Sequence, residues 1–157
     1  MFYEKLDEMM KYYAKAGGFL TVKSGGEVNT MTVAWGFVGY MWNKPHFICV
    51  VRPQRHTFGI IEKAESFTIS VPFGDMAEEL KICGVKSGRD INKAEVVKFV
   101  PAKTVESPIV EGCARYFECV VNYKDAFKGE LLPEAIRKAN YTDDFHHFYI
   151  GEIVEVY

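Results

Sequence analysis

The chain has 157 residues, 48% of them hydrophobic and 15% aromatic, with 25% charged side chains and a formal net charge of −2. That length suits one domain around one core, and the aromatic content excludes a disordered chain. The weakly negative balance lacks the broad basic footprint of a phosphate-backbone binder, so nucleic acid is not an expected partner. Met1 to Glu8 carry neither the apolar run of a signal peptide nor a small-residue cleavage pattern, and no later apolar run reaches membrane-spanning length. A cytoplasmic protein without a membrane partner is therefore expected. Cys49, Cys83, Cys113 and Cys119 form no C-x-x-C pair and stand in apolar or strand-like surroundings, as reduced thiols do.

Residues 3 to 16 place Leu6, Met9, Met10 and Tyr13 on one side at helical spacing, and Gly17-Gly18 ends the pattern as a C-cap pair. Phe19 to Lys23 reads as a strand, Gly25-Gly26 as a hairpin turn and Val28 to Trp35 as the returning antiparallel strand. Phe37 to Tyr40 and an Asn43-Lys44-Pro45 turn lead into Phe47 to Val51, apolar on both faces and so central in a sheet. Thr57 is expected to cap a short helix through Lys63, Ser66 to Val71 to form the next strand, and Asp75 to cap a helix over Met76 to Ile82. Gly84 to Asp90 is loop-like by its glycines. Short strands are expected at Val96 to Val100 and Lys103 to Val105, parted by Pro101. A longer pair follows at Cys113 to Lys124 and Phe148 to Tyr157, with a partly helical connection around Pro133 to Asn140. Six or more mostly antiparallel strands with three short helices favour a mainly β fold, a closed or split barrel, because closure removes exposed edges. Strands do not alternate with helices, and no G-x-G-x-x-G lies between a strand and a helix, which disfavours a doubly wound dinucleotide fold.

Three clusters in this frame carry polar chemistry. Asn29-Thr30-Met31-Thr32-Val33-Ala34-Trp35 suits a pleated strand but puts amide and hydroxyl groups where a core strand carries aliphatic ones. Such a strand offers a flat ligand hydrogen bonds and an aromatic surface; an edge strand with its hydroxyls in water fits the same residues. Arg52, Arg55, His56 and Thr57 stand at a strand end and helix start, where two guanidinium groups, a hydroxyl and free N–H groups suit a phosphate dianion. An Arg-x-x-Arg pair by itself also serves simply to solvate a loop. In Ser87-Gly88-Arg89-Asp90 with Lys93, glycine permits close backbone approach and two cations suit a phosphate or an electron-rich ring, though a plain surface loop fits as well. His146-His147 beside Asp143 and Asp144 is not read as a metal site, since adjacent strand residues face opposite sides and no second ligand pair has matching spacing. No G-x-S-x-G elbow, paired carboxylates or electropositive cysteine marks side-chain catalysis. No catalytic side chain is assigned, and a bound cofactor is the expected source of reactivity.

Taken in order, five stretches resemble the flavin reductase-like proteins of the FMN-binding split-barrel class, nearest the flavoredoxin branch. They are Asn29 to Trp35, Arg52-x-x-Arg55-x-Thr57, Ser66-Phe67-Thr68-Ile69-Ser70-Val71-Pro72, Ser87-Gly88-Arg89-Asp90-x-x-Lys93, and His147-Phe148-Tyr149-Ile150-Gly151-Glu152-Ile153. The resemblance runs from about Gly17 to Val156 and departs at Asn43-Lys44-Pro45-His46, where a Pro-Pro pair is frequent in the class. It implies a homodimer of six-stranded, antiparallel, Greek-key split barrels, each a single domain over residues 1–157 holding FMN near the subunit interface. Under it, Asn29, Thr30, Met31, Thr32, Ala34 and Trp35 line the flavin ring and ribityl chain, and Arg52, Arg55, His56 and Thr57 hold the phosphate. Ser87, Gly88, Arg89 and Lys93 lie by the flavin or its visiting redox partner. The activity implied is electron transfer through bound FMN, from NADH, NADPH or a protein donor to flavin or another acceptor. A non-catalytic FMN-binding sensor or storage module is the rival expectation.

Overall fold

In the computed structural model, which describes residues 1–157, helix α1 (Leu6–Ala16) forms where the apolar spacing places it and buries Met9 and Tyr13. Gly17 ends it with φ 87°, its N–H reaching back to the Tyr13 carbonyl at 2.9 Å. A side chain there would also strike the Val33 carbonyl at 2.6 Å, so glycine is required twice over. Strands β1 (Gly18–Ser24) and β2 (Glu27–Val33) then pair across Gly25-Gly26, both at positive φ as a tight hairpin demands. β3 (Gly36–Met41) pairs with β4 (Lys44–Val51) across Trp42-Asn43.

The remaining elements are α2 (His56–Ile61), β5 (Ser66–Val71), α3 (Ala77–Val85), a 3-10 turn over Lys93–Glu95 and the small pair β6 (Phe99–Val100) with β7 (Ile109–Val110). β8 (Arg115–Ala126), α4 (Glu134–Asn140) and β9 (His147–Val156) complete the chain. The main sheet has seven strands in the order β2-β1-β5-β8-β9-β4-β3, every neighbouring pair antiparallel. β4 lies beside the far member of the β5, β8, β9 run, which is a Greek-key return.

The position of the two edges fixes the shape. β2 and β3 lie at opposite ends of the strand order, yet only Ala34 and Trp35 separate them in the chain. Three residue steps span at most about 11 Å, so the sheet must curl until its edges nearly meet. The result is a barrel split between β2 and β3, with Ala34-Trp35 across the split. The inside is filled by Phe47, Phe67, Ile69, Phe117 and Tyr149, none of them exposed. A second, smaller core of Phe19, Leu80, Cys83, Val97 and Val110 holds α3 and β7 against the outer face of β1. No helix is long and apolar enough to cross a membrane.

The mainly β, split-barrel expectation holds, with seven strands where six were expected. Local corrections have physical causes. Thr57 lies inside α2 rather than capping it, because its hydroxyl accepts from Asn29 Nδ2 at 2.9 Å; Arg55 occupies the cap position. Asp75 does not cap α3, whose preceding residue is Met76 at φ 57°. Lys103 to Val105 forms no strand, because the amides of Lys103 and Thr104 donate to the buried Glu118 carboxylate, each at 2.7 Å. Of Val96 to Val100 only the last two residues pair, with Ile109–Val110.

Candidate functional site

As an edge strand, β2 has a strand neighbour on one side only, so alternate backbone groups point outward unpaired. α3 covers part of that edge: Thr32 Oγ1 donates to the Leu80 carbonyl at 2.5 Å. Lys93 Nζ donates to the carbonyls of Thr30 at 2.7 Å and Cys83 at 3.1 Å. Beyond these contacts β2 runs into the split, where a cleft of about 230 Å³ opens. Met31, Thr32, Val33, Ala34 and Trp35 form one wall of it, and Val50, Arg52, Arg55 and His146 the rest.

The hydroxyls of the wall are neither in water nor turned to the cleft. Thr30 is fully buried, accepting from Thr21 Oγ1 at 3.0 Å and donating to the Leu20 carbonyl at 3.1 Å. With Thr57, it stands behind the wall as support. The cleft therefore presents the backbone edge of β2, apolar side chains and the half-exposed Trp35 ring, a lining suited to a flat molecule with a polar rim.

Two further recesses continue from this cleft. Arg55 is shared with a recess of about 230 Å³ lined also by His56, Lys86, Ser87 and Arg89. His56 and Arg89 are shared in turn with one of about 360 Å³ that adds Asn29, Gly88 and Lys93. Gly88 is needed for this approach, since a side chain there would collide with the Asn29 amide and meet His56 Cδ2 at 2.7 Å. Every expected site residue except Thr30 and Thr57 thus lines one connected trough.

The cations in the trough are not equivalent. Arg52 donates to Asp144 Oδ2 at 2.7 Å and to the Asn140 carbonyl at 2.8 Å, and its guanidinium lies 4.9 Å from the Tyr141 ring centre. That hydrogen bond, foremost among several, holds the Asp144 carboxyl well below the usual carboxylate range. Arg55 has one long contact, 3.3 Å to the Gly84 carbonyl, and no carboxylate partner; partial burial lowers its pKa. Arg89 donates to the Gln54 carbonyl at 3.0 Å, and His56 pairs with Glu27 at 2.9 Å. Arg55, Arg89 and the exposed Lys86 therefore leave positive charge uncompensated in the middle recess, where an anion would be held. α2 has only six residues, so the side chains dominate there over any helix-end field.

The far end of the cleft is closed by His146, 5.3 Å from Trp35 between ring centres. Its Nδ1 shares a 2.6 Å hydrogen bond with Tyr141 Oη. Burial, reinforced by Arg52, pushes the imidazole down to about 4, so the ring is neutral at neutral pH. Nε2 is left without a protein partner. His147, the first residue of β9, turns the other way, against Phe58 and Glu62. Of the lining residues outside the expected set, Val50 reads in the sequence as plain core, His146 as a histidine beside the Asp143-Asp144 pair, and Lys86 adjoins Ser87 without joining a motif.

Fold and cleft together define a split-barrel protein with a ligand trough opening at the split. The family profile described as flavin reductase like domain matches residues 10–157, and the chain belongs to that family. It is 31% identical over 115 residues to an uncharacterized protein of Pyrococcus abyssi, a match covering 69% of this chain and 66% of that protein, just under two thirds of its length. Among solved structures it is similar to an FMN-binding protein from Thermus thermophilus with bound 1-cyclohex-2-enone, at 24% identity and a TM-score of 0.68, covering 89% of this chain and 68% of that one. It is also similar to flavoredoxin from Methanosarcina acetivorans, at 21% identity and a TM-score of 0.70, covering 89% and 66%. At these identities the structural likeness is one of fold.

Proposed function

We propose that the chain is a flavoprotein that holds FMN along the trough and passes electrons through it, as an oxidoreductase of the flavin reductase-like, flavoredoxin type. The observation that carries this reading is the junction at Arg55, where an apolar slot ending on Trp35 meets a recess of uncompensated cations. Planar ring and phosphate are the two chemistries that such a junction selects. When bound, FMN would supply the redox chemistry, with NADH, NADPH or a protein as the electron source and flavin or another molecule as the acceptor.

The chain's own residues bind, orient and tune. In this reading Arg55, with Lys86, Ser87 and Arg89, takes the phosphate, while Trp35 and the edge of β2 receive the ring. Backbone N–H groups and the nearby guanidinium favour negative charge on a reduced ring. His146 closes the slot as an uncharged hydrogen-bonding group, which suits a redox centre from which water is partly excluded. The names of the Thermus and Methanosarcina proteins, FMN-binding and flavoredoxin, lend support to the choice of flavin. We also read the chain as a homodimer, since Trp35, Phe37, Tyr40 and Trp42 are all more than half exposed along the free edge of β3.

The test is anaerobic addition of NADH and then NADPH to the FMN-loaded protein, read by visible absorbance. Bleaching by either, with colour returning on admission of air, is the expected result. A flavin that stays oxidised with both nucleotides, and with reduced protein donors freed of their chemical reductant, would leave a sensor or storage module. Light scattering on the same sample is expected at twice the chain mass of 17.9 kDa.

A further inference from the structure

Lys93 is only 4% exposed, yet its ammonium meets two backbone carbonyls and no carboxylate. Each acceptor adjoins a different part of the trough. Thr30 precedes Met31, where the cleft wall begins; Cys83 precedes Gly84, whose carbonyl receives Arg55. The Thr30 carbonyl lies on the open edge of β2, and that of Cys83 lies in the last turn of α3, where unpaired carbonyls favour a cation. One ammonium thus spans the junction between the slot and the cationic recess.

Resting on the FMN reading above, we propose that Lys93 is a positioning residue: by bonding Thr30 and Cys83 together it clamps the open edge of β2 to the end of α3 and so fixes the seam beside which the slot meets the cationic recess. It acts through these backbone groups and need not touch the ligand.

The tie is also sensitive to protonation. Burial pushes the Lys93 ammonium down to about 8; Cys83 acts the other way, and Arg55 adds to the lowering. His56, Arg89 and Asp90 face it across the outer recess, and Glu95 sits on its own turn. A neutral amine keeps N–H donors but loses charge assistance, which roughly halves such bonds. Linkage separates this role from a purely structural one. Because the folded value lies below the ordinary 10.5, the unfolded chain binds the proton more tightly, and Lys93 makes overall stability rise with pH through that window. Flavin affinity is expected to fall across the same window.

Two measurements test the proposal. In the ligand-free protein, the amide NMR signals of Met31 and Gly84, whose peptide units carry the two acceptor carbonyls, are expected to move together with one midpoint near pH 8. Lys93→Arg removes that step. The FMN dissociation constant of the unaltered protein is expected to rise about fivefold between pH 7 and 9, to stay flat in Lys93→Arg, and to be weak and flat in Lys93→Met. Independent or absent movement of the two signals, or an unchanged alkaline step in Lys93→Arg, overturns the proposal. If Lys93→Met does not fold, the unaltered protein and Lys93→Arg still decide. A protein that binds no FMN at all would refute the functional reading, while the ligand-free signals would still judge the tie.

Discussion

Replacing Arg55 with alanine weakens FMN binding by about tenfold to a hundredfold while changing riboflavin binding by less than about threefold, since a hydrogen bond to a charged group contributes about 1.5 to 3 kcal/mol. Arg55 has no carboxylate to return to, and its 3.3 Å contact with Gly84 is easily exchanged for a phosphate oxygen. Arg52→Ala is expected to behave differently, although the two arginines stand only three residues apart. The fork of Arg52 is already committed to Asp144 and Asn140. Its loss frees Tyr141 and the segment that carries His146, so FMN and riboflavin suffer alike. Isothermal titration of both flavins into both variants checks the pair. Equal losses in Arg55→Ala, or a phosphate-selective loss in Arg52→Ala, would contradict the assignment.

Glu118→Ala is expected to lower stability by about 1 to 3 kcal/mol, far from the trough, because it removes the buried carboxylate on which four donors converge. The carboxylate is fully buried and accepts from the amides of Lys103 and Thr104, the Thr104 hydroxyl and the Tyr157 hydroxyl at 2.8 Å. Burial by itself would raise the carboxyl, but these bonds outweigh it and hold it below its ordinary 4.5. A lowered carboxyl contributes stability above that ordinary value and loses it as pH falls through the folded one. Urea unfolding of the unaltered protein should therefore show a loss below pH 4.5 that Glu118→Gln lacks in part. Identical acid profiles for the two proteins would refute the role given to Glu118.

Much of the fold was legible from local chemistry. The amphipathic spacing before Gly17 set α1, and two successive glycines at positive φ set the β1–β2 hairpin. The arginine cluster and the Ser-Gly-Arg loop, read separately from their local chemistry, come together on one trough. What the residues could not disclose was long-range pairing. Asp144, which pairs with Arg52, lies 92 residues away, and Asn29, which takes the Thr57 hydroxyl from the cap, lies 28 away. Ile109–Val110 is too short a strand for periodicity to register, and the branched residues of Lys103 to Val105 read as a strand until Glu118 claims their amides. The polar strand Asn29 to Trp35 was noticed for its hydroxyls, whereas the cleft receives its backbone edge.

FMN binding in this trough is the central measurement. Titrating the protein into a fixed concentration of FMN near neutral pH, with flavin fluorescence and visible absorbance read together, should give saturable quenching and a shifted absorbance band at about one flavin per chain. Flavin fluorescence and absorbance unchanged at protein in large excess would contradict it.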